Sequence, residues 1–387
     1  MGPARDGPLP TVAIDYRPAL HNREGIGRVA REAVRALVAR DDAPELVLVG
    51  AALRAPRVGP LERGLPTDRN ARVRLVAPRL PARLTAPLLR LAGGVDRLLG
   101  AGLVQHTQLL PLPSARAPST GFVFDLLFEG GGSGHLAARA ARTMEARLDA
   151  LLPRLARIQV TSTWVRDALV ERRGIAAQRI DMVTLGGDHV LRAPRVPRDD
   201  VRLPRGPYVL TVARLDPRKG HTLALAAFER LVARGWHGTW VVAGPPGHRA
   251  EELAAALAAS PASARIEWRR AVDEGQLAAL LQHAEAFVFP SLAEGFGLPP
   301  IEAMWAGAPV VTSRATCLAE IVGSGADTFD PAARDAVDEL DARLERVLSD
   351  GGYREALRAR GAAWCRRHSW AHCAEGLVTS WRAALSE

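Results

Sequence analysis

Apolar positions fall in short uninterrupted runs, and each run is followed by a polar or glycine-rich loop. The runs are 11–15, 208–212, 239–243, 286–289 and 309–312. Runs this short, with no alternation, predict strands buried on both faces. Between them, apolar residues recur at helical spacing. Val29, Ala33, Val34 and Leu37 do so within 28–40, and further helices are predicted from Gly220 through Leu231, over 251–259 and over 300–306. Strands that alternate with helices make parallel sheets covered on both faces. The fold class expected is therefore α/β, with two doubly wound, Rossmann-like domains facing one another across a cleft. Ligands in such sheets bind beyond the carboxyl ends of the strands. The loops after Asp15, Val212, Ala243, Phe289 and Thr312 are the places where a site is expected.

Composition supports two domains. The 387 residues are 48% hydrophobic, enough for two cores. A proline-rich stretch at 192–207, with Pro194, Pro197, Pro204 and Pro207, reads as a linker. The apolar run at 11–15 is too short for a secretory signal, and no run approaches the ~20 apolar residues of a membrane span. Cys317, Cys365 and Cys373 are too few and too scattered for a disulfide framework or a zinc site. A cytoplasmic protein is expected. Its net charge is +9, distributed unevenly. Residues 1–199 hold 30 arginines, no lysine and 19 acids, a net of +11, whereas the remainder is at −2. A basic half suits an acidic substrate, an anionic membrane face or nucleic acid, and equally a solvated surface. Aromatic residues make up only 5% of the chain, too few for base-stacking platforms.

The C-terminal half carries the candidate chemistry. The segment Ala213-Arg214-Leu215-Asp216-Pro217-Arg218-Lys219-Gly220 sets cations between a strand end and a helix start. That is where a diphosphate can meet both unpaired helix N–H groups and neutralising side chains. Lys219 is the one lysine in the chain, against 50 arginines, which suggests a need for a compact point charge. Downstream, Phe289-Pro290-Ser291-Leu292-Ala293-Glu294-Gly295-Phe296-Gly297-Leu298-Pro299-Pro300-Ile301-Glu302 flanks a glycine-rich loop with two carboxylates. Carboxylates accept strong hydrogen bonds from sugar and ribose hydroxyls, and Gly295 and Gly297 allow close backbone approach. Glu302 is expected in the first helical turn, where it would face the positive helix end. Two glutamates at one site would repel nucleic-acid phosphates, so no nucleic-acid partner is expected.

The spacing of Glu294 and Glu302 resembles the E-x7-E signature of the retaining glycosyltransferases of family 4, which have the GT-B fold. The string from Phe287 to Ser313 is similar to that family over nearly its whole length. Further similarity lies at 209–220, at Thr316-Cys317-Leu318-Ala319-Glu320, at Asp15-Tyr16-Arg17-Pro18, at Gly25-Ile26-Gly27-Arg28, at Thr161-Ser162-Thr163-Trp164 and at Thr184-Leu185-Gly186-Gly187-Asp188. The match is weaker, but still present, to mannosyltransferase-like members that act on surface polysaccharide precursors. The resemblance implies an acceptor-side domain over 1–195, a nucleotide-sugar donor domain over 196–368 and a closing helix over 369–387 that crosses back to the first domain. It implies that Glu302 holds the donor ribose and Glu294 meets the transferred sugar, beside the N–H groups of Phe296, Gly297 and Leu298. Arg214 and Lys219 would stabilise the diphosphate, Thr316 would lie in its cradle, Gly27 would approach the diphosphate or acceptor, and Asp125 would orient sugar or acceptor. No metal is expected if Arg214 and Lys219 neutralise the departing charge. GDP-mannose is the favoured donor, with a UDP- or ADP-sugar as alternatives, and the acceptor is a glycan or a lipid-linked glycan. Two positions depart from the pattern. Phe124 stands where the family often has histidine, with His106 and His135 as candidates to compensate. Trp268-Arg269-Arg270 replaces the family's Phe-Leu-Gly. The alternative to an enzyme is a catalytically weakened nucleotide-sugar-binding protein of the same fold. Finally, Arg79, Arg83, Arg90 and Arg97 interleave with Leu80, Leu84, Leu88, Leu89 and Leu91, a basic amphipathic pattern that suits peripheral contact with an anionic membrane. The glycine-rich stretch 130–134 is expected to rim the acceptor site.

Overall fold

The computed structural model of the chain describes residues 7–22, 25–51, 72–78, 82–129, 138–193 and 203–387. These residues form two compact units. The first takes the described residues of Met1–Glu129 and Ala138–Leu185 together with Trp370–Glu387, and the second takes Gly186–Ser369.

The first unit is built on seven parallel strands: β1 (Val12–Asp15), β2 (Leu46–Val49), β3 (Val73–Val76), β4 (Leu103–His106), β5 (Ser119–Val123), β6 (Arg157–Val160) and β7 (Ile180–Met182), in the order β3-β2-β1-β4-β5-β6-β7. Every residue of β1, β2, β4 and β5 is buried; β2 is apolar throughout, whereas β4 and β5 also bury Gln105, His106, Ser119 and Thr120. The first long helix, Ile26–Val38, turns Val29, Ala30, Ala33, Val34 and Leu37 inward, as their spacing predicts.

The closing helix, Trp370–Leu385, belongs to this first unit. A buried polar network sets its register. The Trp381 indole donates to Gln105 Oε1 (2.7 Å), which also accepts from Thr120 Oγ1 (2.7 Å), and Gln159 Nε2 donates to Ser380 Oγ (3.1 Å). A buried amide oxygen with its partners in place admits one docking position, because sliding the helix would leave polar atoms unpaired away from water.

The second unit has six parallel strands: β8 (Tyr208–Val212), β9 (Thr239–Ala243), β10 (Ile266–Arg269), β11 (Ala286–Phe289), β12 (Val310–Ser313) and β13 (Asp327–Phe329), in the order β10-β9-β8-β11-β12-β13. Its core gathers Phe228 and Trp240 with Leu340, Leu344 and Val347. Each unit thus runs third-second-first-fourth and onward, the doubly wound order, and each has one point where the order reverses: β1 beside β4, and β8 beside β11.

The division between units falls after Leu185, not near residue 195. The Gly187 N–H donates to the His368 carbonyl at 3.0 Å, and a Cβ on Gly187 would lie 2.8 Å from Ile301 Cγ2. This stretch is packed into the second unit, and proline content alone could not reveal that. Residues 194–202 of the expected linker lie outside the described residues.

Candidate functional site

The reversal point of the second unit is formed by the loops after β8 and β11. After β8 the chain makes a tight turn, Pro217–Lys219, whose N-cap carboxylate Asp216 accepts from Arg218 N. Gly220 follows with φ 67, and a Cβ there would stand 1.9 Å from the Pro290 carbonyl oxygen. Only glycine lets the two loops touch. That contact places Lys219 against the loop that holds Glu294.

Glu294 is the hub of this point. Lys219 Nζ donates to its Oε1 at 2.5 Å, Ser291 Oγ donates to the same oxygen at 2.6 Å, and Arg218 Nη1 reaches Oε2 at 3.3 Å and the Ala293 carbonyl at 2.6 Å. Glu294 is 8% exposed. Burial pushes its carboxyl up, but Lys219, Arg218 and the Ser291 hydroxyl together pull it below the ordinary carboxylate range. Burial draws the Lys219 ammonium down, with Glu294 opposing. Two cations thus meet on the Glu294 carboxylate, with the Asp216 carboxylate of the same turn also acting on Lys219.

The backbone around Glu294 is held in a conformation that a free loop would not keep. Thr316 has φ 49, uncommon for a residue with a Cβ. Its hydroxyl accepts from Glu294 N (2.9 Å) and donates to the Glu294 carbonyl (2.8 Å), so two bonds stabilise the strained turn. The Cys317 thiol also donates to the Glu294 carbonyl at 3.1 Å. Gly297, at φ 88, is the N-cap of the helix Leu298–Ala306, and a Cβ on it would lie 2.5 Å from Leu318 Cδ2. Phe296 beside it is buried. The first N–H groups of that helix, from Leu298 on, follow Gly297 directly.

Glu302 differs from its expected setting. The helix opens at Leu298, no acidic residue stands in its first turn, and Glu302 comes one turn later. The two prolines are inside the start rather than before it, which moves the carboxylate along the axis. It is buried, 4% exposed, and 3.1 Å from His189 Nε2. Arg214 stands at the start of the loop after β8. Its side chain is exposed and its carbonyl accepts from His221 Nε2 at 2.8 Å, whereas Arg218 is the arginine that reaches Glu294. Among the described residues, no group of three or more His, Cys, Asp or Glu side chains is placed to hold a metal ion.

The reversal point of the first unit has different chemistry. Asp15, at the end of β1, is gripped bidentately by Arg17 (Nε to Oδ1 and Nη2 to Oδ2, both 2.7 Å) and by Gln108 Nε2 at 3.1 Å. Arg17 Nη2 also donates to the Leu110 carbonyl at 2.5 Å. His106, at the end of β4, is 1% exposed, and burial draws its imidazole down to about 4, so it is neutral. Its Nδ1 accepts from Leu112 N at 3.3 Å, a structural contact that does not offer it to a ligand. Gly27 has a packing reason: a Cβ would lie 2.0 Å from the Asn22 carbonyl oxygen. Phe124 stacks on Phe122 with centroids 4.9 Å apart, and Asp125 Oδ1 accepts from Leu127 N at 3.1 Å. His135 and the stretch 130–134 lie outside the described residues, as does Arg79 and the side chain of Arg83.

Three contributors escaped the sequence reading. Arg218 is one of two arginines in the segment 213–220, and its place beside Lys219 is the one local clue to its role. Ser291 sits three residues before Glu294, a spacing at which a hydroxyl can reach a carboxylate within one turn. His189 gave no local sign, because its partner lies on a remote helix.

The family described as "Glycosyl transferases group 1" matches residues 197–364, within the second unit. The chain is 29% identical over 62% of its length to the O-antigen chain mannosyltransferase B of Escherichia coli, and 32% identical over 63% to the MMP alpha-(1->4)-mannosyltransferase of Mycolicibacterium hassiacum. It spans 64% and 57% of the lengths of these two relatives. Among solved structures, HepE of Anabaena in complex with UDP and glucose aligns over 96% of this chain and 98% of its own, with TM-score 0.72 and 15% identity. Sucrose-phosphate synthase from Thermosynechococcus elongatus aligns over 98% and 99%, with TM-score 0.72 and 18% identity. The two Rossmann-type units are those of the GT-B fold.

Proposed function

We propose that this chain is a retaining glycosyltransferase of family 4 that takes a hexose from a nucleotide-diphosphate sugar and passes it to a glycan or lipid-linked acceptor in surface polysaccharide synthesis. The observation that carries the proposal is the cluster of Lys219 and Arg218 on Glu294 at the reversal point of β8 and β11, within the span matched by the glycosyl transferase family. A departing diphosphate needs fixed positive charge in a site that does not reorganise. Lys219, already desolvated, supplies it, with Arg218 beside it and exposed Arg214 at the mouth of the same loop. Glu294 does double duty in this reading. It orients the two cations and presents a carboxylate to the transferred sugar, beside Phe296, Gly297, the Leu298 N–H and Thr316. Glu302, steadied by His189, holds the ribose. Gly27 and Asp125 serve the acceptor side. The phosphate oxygen freed on departure accepts the proton of the attacking hydroxyl, so the new bond forms on the face the nucleotide leaves.

GDP-mannose is the proposed donor, because the relatives quoted are named mannosyltransferases. UDP-sugars come next, since HepE was solved with UDP and glucose. No metal takes part in the proposed step. The protein works in the cytoplasm, at the inner membrane face. The test incubates purified protein with labelled GDP-mannose, UDP-glucose and ADP-glucose, with and without a lipid-linked glycan fraction. One donor should lose its sugar only when acceptor is present, with the anomeric configuration kept. Binding of a nucleotide sugar without any transfer would favour a weakened binding protein, to which Phe124 in place of histidine points. Binding of none would reject both.

A further inference from the structure

The first unit holds a cavity of about 480 Å³ lined by five arginines, Arg90, Arg139, Arg142, Arg147 and Arg154, with Thr143 and no carboxylate. Arg139, Arg142, Thr143 and Arg147 recur at helical spacing on the helix Ala138–Leu151, so they share one face. Of the two acids of that helix, Asp149 accepts from Arg173 Nη1 at 2.6 Å, and neither Asp149 nor Glu145 lines the cavity. Other arginines of this unit are paired, Arg17 with Asp15, Arg40 with Asp42 and Arg157 with Asp181. None of the five cavity arginines has an acidic partner among the described residues. Guanidiniums gathered around one space repel each other, and a multiply charged anion that accepts forked hydrogen bonds relieves that repulsion.

The cavity adjoins the reversal point. Leu110 is part of its wall, and the Leu110 carbonyl is the acceptor of Arg17 Nη2, beneath β1 and β4. Beside it runs the helix Ala82–Leu91, which contributes Arg90. Thr85 and Leu89 of that helix face inward, while Leu84, Leu88 and Leu91 are 42%, 43% and 86% exposed along the opposite face. An apolar stripe next to an arginine-lined cavity matches a molecule with a phosphate head and a hydrocarbon tail. We propose that this cavity is a phosphate site for a membrane lipid phosphate or diphosphate, with Leu84, Leu88 and Leu91 resting in the acyl region. The binding stands apart from sugar transfer; that the bound lipid is the acceptor rests on the glycosyltransferase reading.

Flotation of the intact protein, with no nucleotide sugar present, tests the site on three vesicles: phosphatidylcholine alone, and phosphatidylcholine with phosphatidic acid or with phosphatidylserine at matched surface charge. Binding should be strongest with phosphatidic acid, whose phosphate is a monoester, and inorganic pyrophosphate should displace it. R142A/R147A changes two exposed side chains and should weaken that binding roughly 30-fold, the loss expected for two cations beside an anionic surface. L88Q/L91Q should weaken vesicle binding while leaving pyrophosphate affinity unchanged. Equal binding to the two anionic vesicles would show a diffuse charge effect and overturn the phosphate site. So would unchanged binding by R142A/R147A, or a preference for RNA over phosphatidic acid vesicles. Donor consumption by R142A/R147A with a soluble acceptor separates the two claims: retained turnover with lost lipid binding leaves the transfer reading standing.

Discussion

The two units reverse their strand order at equivalent points, yet the side chains there do opposite things. At β8 and β11, two cations, Lys219 and Arg218, converge on one buried carboxylate. At β1 and β4, one arginine cancels one aspartate, and the neighbouring histidine is buried and neutral. The same topology therefore carries two cations on one carboxylate in one unit and a single arginine–aspartate pair in the other, while five further arginines of the first unit line a separate cavity. Topology places a ligand beyond the strand ends, and the local charge balance selects which ligand. A cancelled ion pair suits an acceptor hydroxyl, and a pair of convergent cations suits a diphosphate.

The largest expected break in this contrast is at Lys219. K219A should lower kcat roughly 10²-fold or more if, as proposed, the lost charge acts on the departing diphosphate. The single change also leaves Glu294 with less compensation in a buried setting. K219A/E294Q removes that complication: if Lys219 only balanced Glu294, the double variant would regain the turnover that E294Q alone shows. Continued loss beyond E294Q is the expected result in steady-state assays.

Next in size are the two glutamates. E302A should weaken binding of donor and of free nucleoside diphosphate alike, about tenfold, the effect of one strong hydrogen bond to a charged group. E294A should mainly slow reaction of the intact donor, since its proposed partner is the sugar. Calorimetry with the diphosphate product reads the difference, and an equal loss in both variants would erase the division of labour.

Much of this arrangement was legible in the chain. Strands β8, β9 and β11 fall on the predicted apolar runs, whereas β4 and β5 bury Gln105, His106, Ser119 and Thr120 and so broke the apolar pattern. Lys219 stood out by composition and Glu294 by its place in a glycine-rich loop, but nothing local showed that they touch. That contact depends on Gly220 meeting Pro290 across two loops. Glu302 was placed a turn too early because two adjacent prolines read as a helix start, when Gly297 is the cap. His189 and the arginine cavity are products of packing between distant segments, which periodicity cannot report. The neutral state of His106 likewise follows from burial alone.

Smaller effects sharpen the contrast through pH. His106 titrates at 6.5 when unfolded and near 4 in the fold, so the folded protein binds fewer protons between those values. Its contribution is complete above 6.5 and is lost as pH falls toward 4. His221 in the second unit is also held low by burial and acts in the same sense. The test is therefore the difference between wild type and H106N: urea unfolding from pH 7 to pH 4.5 should show a shallower decline for the variant. Below that range Asp96, which burial pushes up but four backbone N–H groups pull down to about 2, adds a further loss. The smallest change is expected at exposed Arg214, where R214A should alter stability by no more than about 0.5 kcal/mol while raising the KM for donor.

The central claim is that Lys219 and Arg218 at the second unit's reversal point hold the diphosphate of a nucleotide. Isothermal titration of the intact protein with GDP, UDP and ADP, repeated on K219A/E294Q, tests it most directly. The account predicts that one of the three binds at one site per chain and that the double variant binds it about tenfold more weakly than E294Q alone. Binding of none of them, or equal affinity in K219A/E294Q and E294Q, would contradict it.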